Sequence, residues 1–139
     1  MKIRINSTKT LPRQNFYTLA LNGEYAHAAF DEERAPLNKG LWRSQVFKGE
    51  ESAAVDLEIG TGTGTFFTRQ ALKNPQRLLV GMELKYKPLI QSIRRALMAG
   101  AKNAAICRFH SFNTEELFAE GELNDIYIHF PDPWVTPRR

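Results

Sequence analysis

The stretch Ala53-Ala54-Val55-Asp56-Leu57-Glu58-Ile59-Gly60-Thr61-Gly62-Thr63-Gly64 decides the fold. Its first seven residues hold no breaker and predict a short strand that Gly60 closes. Glycines at every second position then let the chain turn sharply and bring backbone against a ligand. A helix is predicted over residues 64–72, stopped at Asn74-Pro75. Strand, glycine turn and helix in that order open a parallel α/β sheet.

Working outward, the pattern repeats. Residues 78–82 read as a second buried strand, and Pro88 fits the first position of a helix. Leu89, Ile90, Ile93 and Leu97 form one apolar face of that helix, and Gly100 caps its end. Residues 104–109 predict a third strand. Asn113-Thr114-Glu115-Glu116 resembles a capping box opening a short helix, and residues 125–130 predict a fourth strand. Alternation at this spacing implies a mostly parallel sheet with flanking helices and right-handed crossovers. A sheet that stops at the fourth strand leaves an open apolar edge, so the fold is expected to be incomplete on its C-terminal side. Upstream, residues 1–23 read as a basic arm or irregular extension, residues 24–35 as a short helix ended by Pro36, and residues 38–49 as an amphipathic helix with Trp42 in the core. The expected division is residues 1–50 as an N-terminal basic arm and helical extension, and residues 51–139 as the N-terminal part of a ligand-binding domain.

Composition sets the outer limits. A chain of 139 residues with 42% hydrophobic and 24% charged residues suits one globular domain. Its longest apolar runs are too short to span a membrane, and no apolar region follows Met1-Lys2-Ile3-Arg4, so no signal peptide is read. The single cysteine, Cys107, excludes an internal disulfide and a cysteine-cluster zinc site, and no metal is expected. A reducing cytoplasmic setting follows. Residues 69–108 hold nine basic side chains against Glu83 alone, whereas residues 110–132 hold six acids and no Lys or Arg. That asymmetry suits a polyanionic partner on one face, or simply solvated helix faces.

The chemistry gathers at predicted strand ends, where open α/β sheets bind ligands. The loop carrying Gly60, Gly62 and Gly64 is spaced G-x-G-x-G, unlike the dinucleotide fingerprint, and no Gly-Lys-Ser/Thr follows it. A dehydrogenase is therefore disfavoured and a P-loop excluded, although a plain tight turn remains open. The second strand ends at Gly81-Met82-Glu83, and an acid there accepts bonds from both hydroxyls of a ribose. A surface acid between lysines is the plainer reading. An adenosine ligand without phosphates fits this arrangement, and S-adenosylmethionine fits that description: its sulfonium is positive and its methionine end carries an ammonium group, so nearby carboxylates such as Glu58 are favourable. The fourth strand leads into Phe130-Pro131-Asp132-Pro133-Trp134, where two prolines restrict Asp132, and the adjoining Trp134 can stack on a planar base. His129 reads as a core or sheet-surface histidine rather than a catalytic base.

Together, Glu58-Ile59-Gly60-x-Gly62-x-Gly64, Gly81-Met82-Glu83 and Phe130-Pro131-Asp132-Pro133-Trp134 resemble the signature of the tRNA (guanine-N7-)-methyltransferase family over residues 53–139. The resemblance implies a Rossmann-like S-adenosylmethionine methyltransferase fold and methylation of guanine N7 in the tRNA variable loop. It implies cofactor contacts at Glu58, Gly60, Gly62, Gly64, Glu83, Asn113 and Asp132, with Asp132 as the active-site acid. It implies substrate contacts at Trp134, Thr136 and Arg138. Asn113 stands where the family commonly has Asp, and Thr136 where a substrate-contacting Lys is expected. The family continues for several more strands, so the chain is expected to be C-terminally truncated. The implied partner is tRNA, bound by a monomer or homodimer. The alternatives are a non-catalytic S-adenosylmethionine or RNA-binding fragment, or a methyltransferase for a different nucleic acid.

Overall fold

A computed structural model describes residues 3–129. Its centre is a five-stranded sheet: β1 (Ala29–Phe30), β2 (Val55–Ile59), β3 (Leu78–Met82), β4 (Ala104–Cys107) and β5 (Ile126–Ile128). The strand order is β1-β4-β3-β2-β5, and every neighbouring pair is parallel. The chain therefore runs outward from β2 through β3 to β4, then returns to the other side of β2 as β5. That reversal beside β2 is the switch point where doubly wound sheets bind ligands. The fold is the expected Rossmann-like α/β arrangement.

Three helices, α1 (Phe16–Leu21), α2 (Thr65–Lys73) and α3 (Tyr86–Met98), pack into one apolar cluster with Leu79 and Ile106 of the sheet. Leu89, Ile90 and Ile93 form the expected buried face of α3, joined by Ala96, while Leu97 is only partly buried. Pro88 sits in the first turn of α3, after Tyr86 and Lys87 rather than at its first position, and Gly100 follows the helix at φ +94°. The opposite face is closed without a long helix, by Trp42, Phe109, Leu117 and Phe118.

Four larger expectations are corrected. Residues 24–35 form turns and the edge strand β1, because pairing with β4 and the Asp31 side chain end any helix. The Asp31 carboxylate accepts from the backbone amides of Glu33 and Arg34. Residues 38–49 hold only a wide turn over Trp42–Val46, in which the Phe47 amide donates to the Trp42 carbonyl at 3.0 Å. The cause is distant in sequence: Glu122 accepts from the amides of Gly40 and Trp42, and the buried indole donates to the Leu117 carbonyl. The capping box at Asn113 does not form. A 3₁₀ turn begins earlier, at Ser111, with the His110 side chain accepting from the Phe112 amide. Finally, the N-terminal segment is not irregular throughout: an Asn15 cap opens α1 over Phe16–Leu21, and Thr8, Thr18 and Leu21 are buried.

Candidate cofactor-binding site

The glycine loop leaves the carboxyl end of β2. Gly60, Gly62 and Gly64 all have positive φ, at 80°, 58° and 90°. The third is also sterically required, and the first is tightly confined. A Cβ on Gly64 would lie 2.5 Å from the Ser92 Cα, and one on Gly60 would meet the His129 carbonyl at 3.3 Å. At Gly62 a Cβ would meet nothing within 4 Å, so the space beside its Cα is open. Ser92 of α3 holds the loop from below: its hydroxyl donates to the Gly62 carbonyl at 2.7 Å and meets the Thr61 hydroxyl at 3.0 Å.

Two carboxylates flank this loop. Glu83, just past β3, accepts from the Gly62 amide at 2.9 Å and from the Lys85 amide at 3.2 Å. It is thus fixed against the loop rather than free among the lysines. Glu58 is fully buried in β2, and neither carboxylate oxygen has a hydrogen-bond partner. The His129 Nε2 approaches its Oε2 to 3.3 Å, without the alignment of a hydrogen bond. Loss of hydration pushes the Glu58 carboxyl up to about 8. A buried acid without partners is costly, so its persistence here points to a ligand group that completes it. Gly81, its neighbour across β3, keeps the space around it small: a Cβ there would meet Phe67 and Thr61 at 2.8 Å.

A cavity of about 200 Å³ opens over the ends of β2, β3 and β4, between Gly60, Met82, Glu83, Phe109 and Ser111. A second, of about 250 Å³, shares Phe109 and His110 with it and reaches Asn113 under residues 3–5. A larger cleft of about 590 Å³ lies at the other ends of β2 and β3, away from the loop. Of its charged lining residues, Glu50 and Arg77, the latter is committed to the buried Asp56 through two bonds of 2.7 and 2.8 Å.

Among the expected site residues, Glu58, the three loop glycines and Glu83 come together. Asn113 lies across the second cavity and is buried, with its carboxamide bonded to both the amide and the carbonyl of Ile3. Asp132, Trp134, Thr136 and Arg138 lie outside the described residues. No cluster of three potential metal ligands, and no helix long and apolar enough to cross a membrane, occurs among the described residues.

Comparison with known proteins follows the same outline. Residues 52–139 match the family described as "Putative methyltransferase". The chain belongs to this methyltransferase family. It is 66% identical over 121 residues to a tRNA (guanine-N(7)-)-methyltransferase of Bdellovibrio bacteriovorus, covering 87% of this chain and 58% of that protein. It is 32% identical over 120 residues to a bifunctional glycosyltransferase/methyltransferase of Fusobacterium nucleatum, covering 86% of this chain and 18% of that protein. A tRNA (guanine-N(7)-)-methyltransferase of Bacillus licheniformis is 31% identical over 100 residues, 72% of this chain and 46% of that protein. The chain thus spans less than two thirds of the length of these curated relatives.

Within this methyltransferase domain, three groups escaped the sequence reading. Arg108, counted there with the basic surface, is buried. It pairs with Glu32 at 2.6 Å, donates to the Asn6 and Leu84 carbonyls and stacks over Tyr86. Glu32 also accepts from the amide and hydroxyl of Thr8, which closes a clasp over the N-terminal segment. Glu122, read as part of an acidic surface, is a buried cap for the Trp42 turn. His129 meets Glu58. Only the last had a sequence signal, its place at the end of a predicted strand.

Proposed function

We propose that this methyltransferase chain binds S-adenosylmethionine and serves methylation of guanine N7 in the variable loop of tRNA, in the cytoplasm. The observation that carries the reading is the pairing of an open glycine loop with Glu58, an unpartnered buried acid, in a chain closely similar to a tRNA (guanine-N(7)-)-methyltransferase. The residues present fit the cofactor. Glu83 has a carboxylate at the strand end for ribose hydroxyls, Gly62 leaves open space beside the loop, and Glu58 suits the ammonium group of the amino-acid end. When bound, S-adenosylmethionine supplies an electrophilic methyl group on a sulfonium.

Guanine N7 carries a lone pair and no proton, so the chain needs no strong general base. Its task is to orient two reactants and exclude water. On this reading Asp132 orients the guanine, Trp134 stacks beside it, and Thr136 and Arg138 contact the tRNA. The exposed bases Arg69, Lys73, Lys85, Lys87, Arg94, Arg95 and Lys102 remain for phosphates, whereas Arg108 is internal and Arg77 is committed to Asp56.

The test is methyl incorporation. The chain is incubated with S-adenosylmethionine labelled in the methyl group and unmodified tRNA, and the digested tRNA is analysed by mass spectrometry. Label as 7-methylguanosine in the variable loop is the expected result. Label at another base or in another nucleic acid overturns the substrate assignment. Saturable binding of S-adenosylhomocysteine without any transfer leaves a non-catalytic cofactor-binding chain.

A further inference from the structure

The end of β5 brings a base to Glu58, a buried acid that lacks a hydrogen-bond partner. Glu58 and Tyr127 are cross-strand partners, and His129 follows two residues later, with its Nε2 3.3 Å from Glu58 Oε2. The imidazole is braced by Phe66 of α2 in an edge contact at 4.6 Å and is partly exposed to solvent. Oε1 of Glu58 has no partner at all.

The charged surroundings are simple. From α2, Phe66, Phe67 and Gln70 face the sheet, with Gln70 bonded to the Tyr127 hydroxyl. From β3 the neighbour is Gly81, and Glu83 beyond it is committed to the Gly62 and Lys85 amides. Asp56, two residues back on β2, is held by Arg77. Among the described residues, His129 is therefore the base placed to exchange a proton with Glu58.

We propose that His129 is a positioning residue that takes the proton of Glu58 when an ammonium group docks on the free carboxylate oxygen. The inference rests on the cofactor reading above and deepens it for the amino-acid end of the ligand. Before binding, burial keeps the proton on Glu58, which titrates near 8. An approaching ammonium needs the carboxylate form. The O–H bond at Oε2 breaks, an N–H bond forms at His129 Nε2, and Glu58 is left flanked by two cations. No proton leaves the protein.

The experiment is calorimetric titration of the whole chain with S-adenosylhomocysteine, in phosphate and in Tris, between about pH 6.5 and 8.5. 5′-Methylthioadenosine, which lacks the amino-acid end, is the control ligand. The native chain should bind S-adenosylhomocysteine with the same heat in both buffers and little change in affinity with pH. In His129→Gln the proton must go to solvent. Its heat should then depend on the buffer. Its affinity should be down about tenfold at pH 7 and should recover as pH passes 8. The affinity of this variant for 5′-methylthioadenosine should not change. Equal losses for both ligands, or a His129→Gln profile that matches the native one, would overturn the proposal. A native chain that is folded and binds neither ligand would instead overturn the cofactor reading itself.

Discussion

Ile3 and Asn113 exchange two hydrogen bonds across 110 residues of sequence: the Ile3 amide donates to Oδ1 at 3.1 Å, and Nδ2 donates to the Ile3 carbonyl at 2.6 Å. The Ile3 backbone thus offers the Asn113 side chain one donor and one acceptor, as the edge of an adenine does. If Asn113 serves the cofactor's adenine, residues 3–5 compete with it. Removing residues 1–5 should then tighten S-adenosylhomocysteine binding several-fold in a calorimetric titration, because two bonds worth about 1 kcal/mol each no longer oppose it. Weaker binding would make the segment a wall of the pocket instead.

The clasp beside it makes a separate prediction. Arg108 and Glu32 are both nearly buried, and each also bonds backbone or hydroxyl groups. Glu32→Ala leaves a buried guanidinium without its partner and should cost about 3–5 kcal/mol in urea unfolding. The double change Glu32→Leu with Arg108→Met should cost less than the two single changes added together. Additive losses would show that the two charges do not act as a pair.

The parts of this fold that were legible in sequence are those set by local pattern. Residues 78–82 form an apolar run before Glu83, and β3 occupies those residues. Glu58 and Glu83 could be placed because an acid at a strand end sits at a fixed height in a parallel sheet. The illegible parts depend on distant partners. Two residues, Ala29 and Phe30, carry too little pattern to announce a strand, and only β4 makes them one. Trp42 starts a wide turn because Glu122, 80 residues on, takes its amide. The charge counts misled for the same reason: Arg108 and Glu122 read as surface and are internal, and Arg77 is spent on Asp56 and Asp125.

The loop glycines separate steric need from ligand access. Gly64→Ala would force a Cβ to 2.5 Å from the Ser92 backbone in a left-handed conformation, and backbone cannot yield as a side-chain tip can. That variant should lose several kcal/mol of stability and lower the thermal midpoint sharply. Gly62→Ala meets no atom within 4 Å and carries only the strain of φ +58°, about 1 kcal/mol. It should fold, yet bind S-adenosylhomocysteine at least tenfold more weakly, since the added methyl fills the open space beside the loop. Unchanged binding would move the ligand away from this loop.

Glu58 also ties stability to pH. Its carboxyl titrates near 4.5 when unfolded and is pushed up to about 8 by burial in the fold. Between those values the unfolded chain has released a proton that the folded chain retains, so this residue makes stability fall as pH rises from about 4.5 to about 8. Below that window both states are protonated, and above it both are ionised, so the difference levels off. The full span is on the order of 5 kcal/mol, because each tenfold change in proton affinity is worth about 1.4 kcal/mol. Glu58→Gln has no such proton, and every other carboxylate is common to both chains. In urea unfolding the two should be nearly equal in stability at pH 5, and the variant should be the more stable at pH 8.5. Stability curves that stay parallel across that range would mean Glu58 titrates as an ordinary exposed acid. The case for a buried, ligand-completed carboxylate at the end of β2 would then fail.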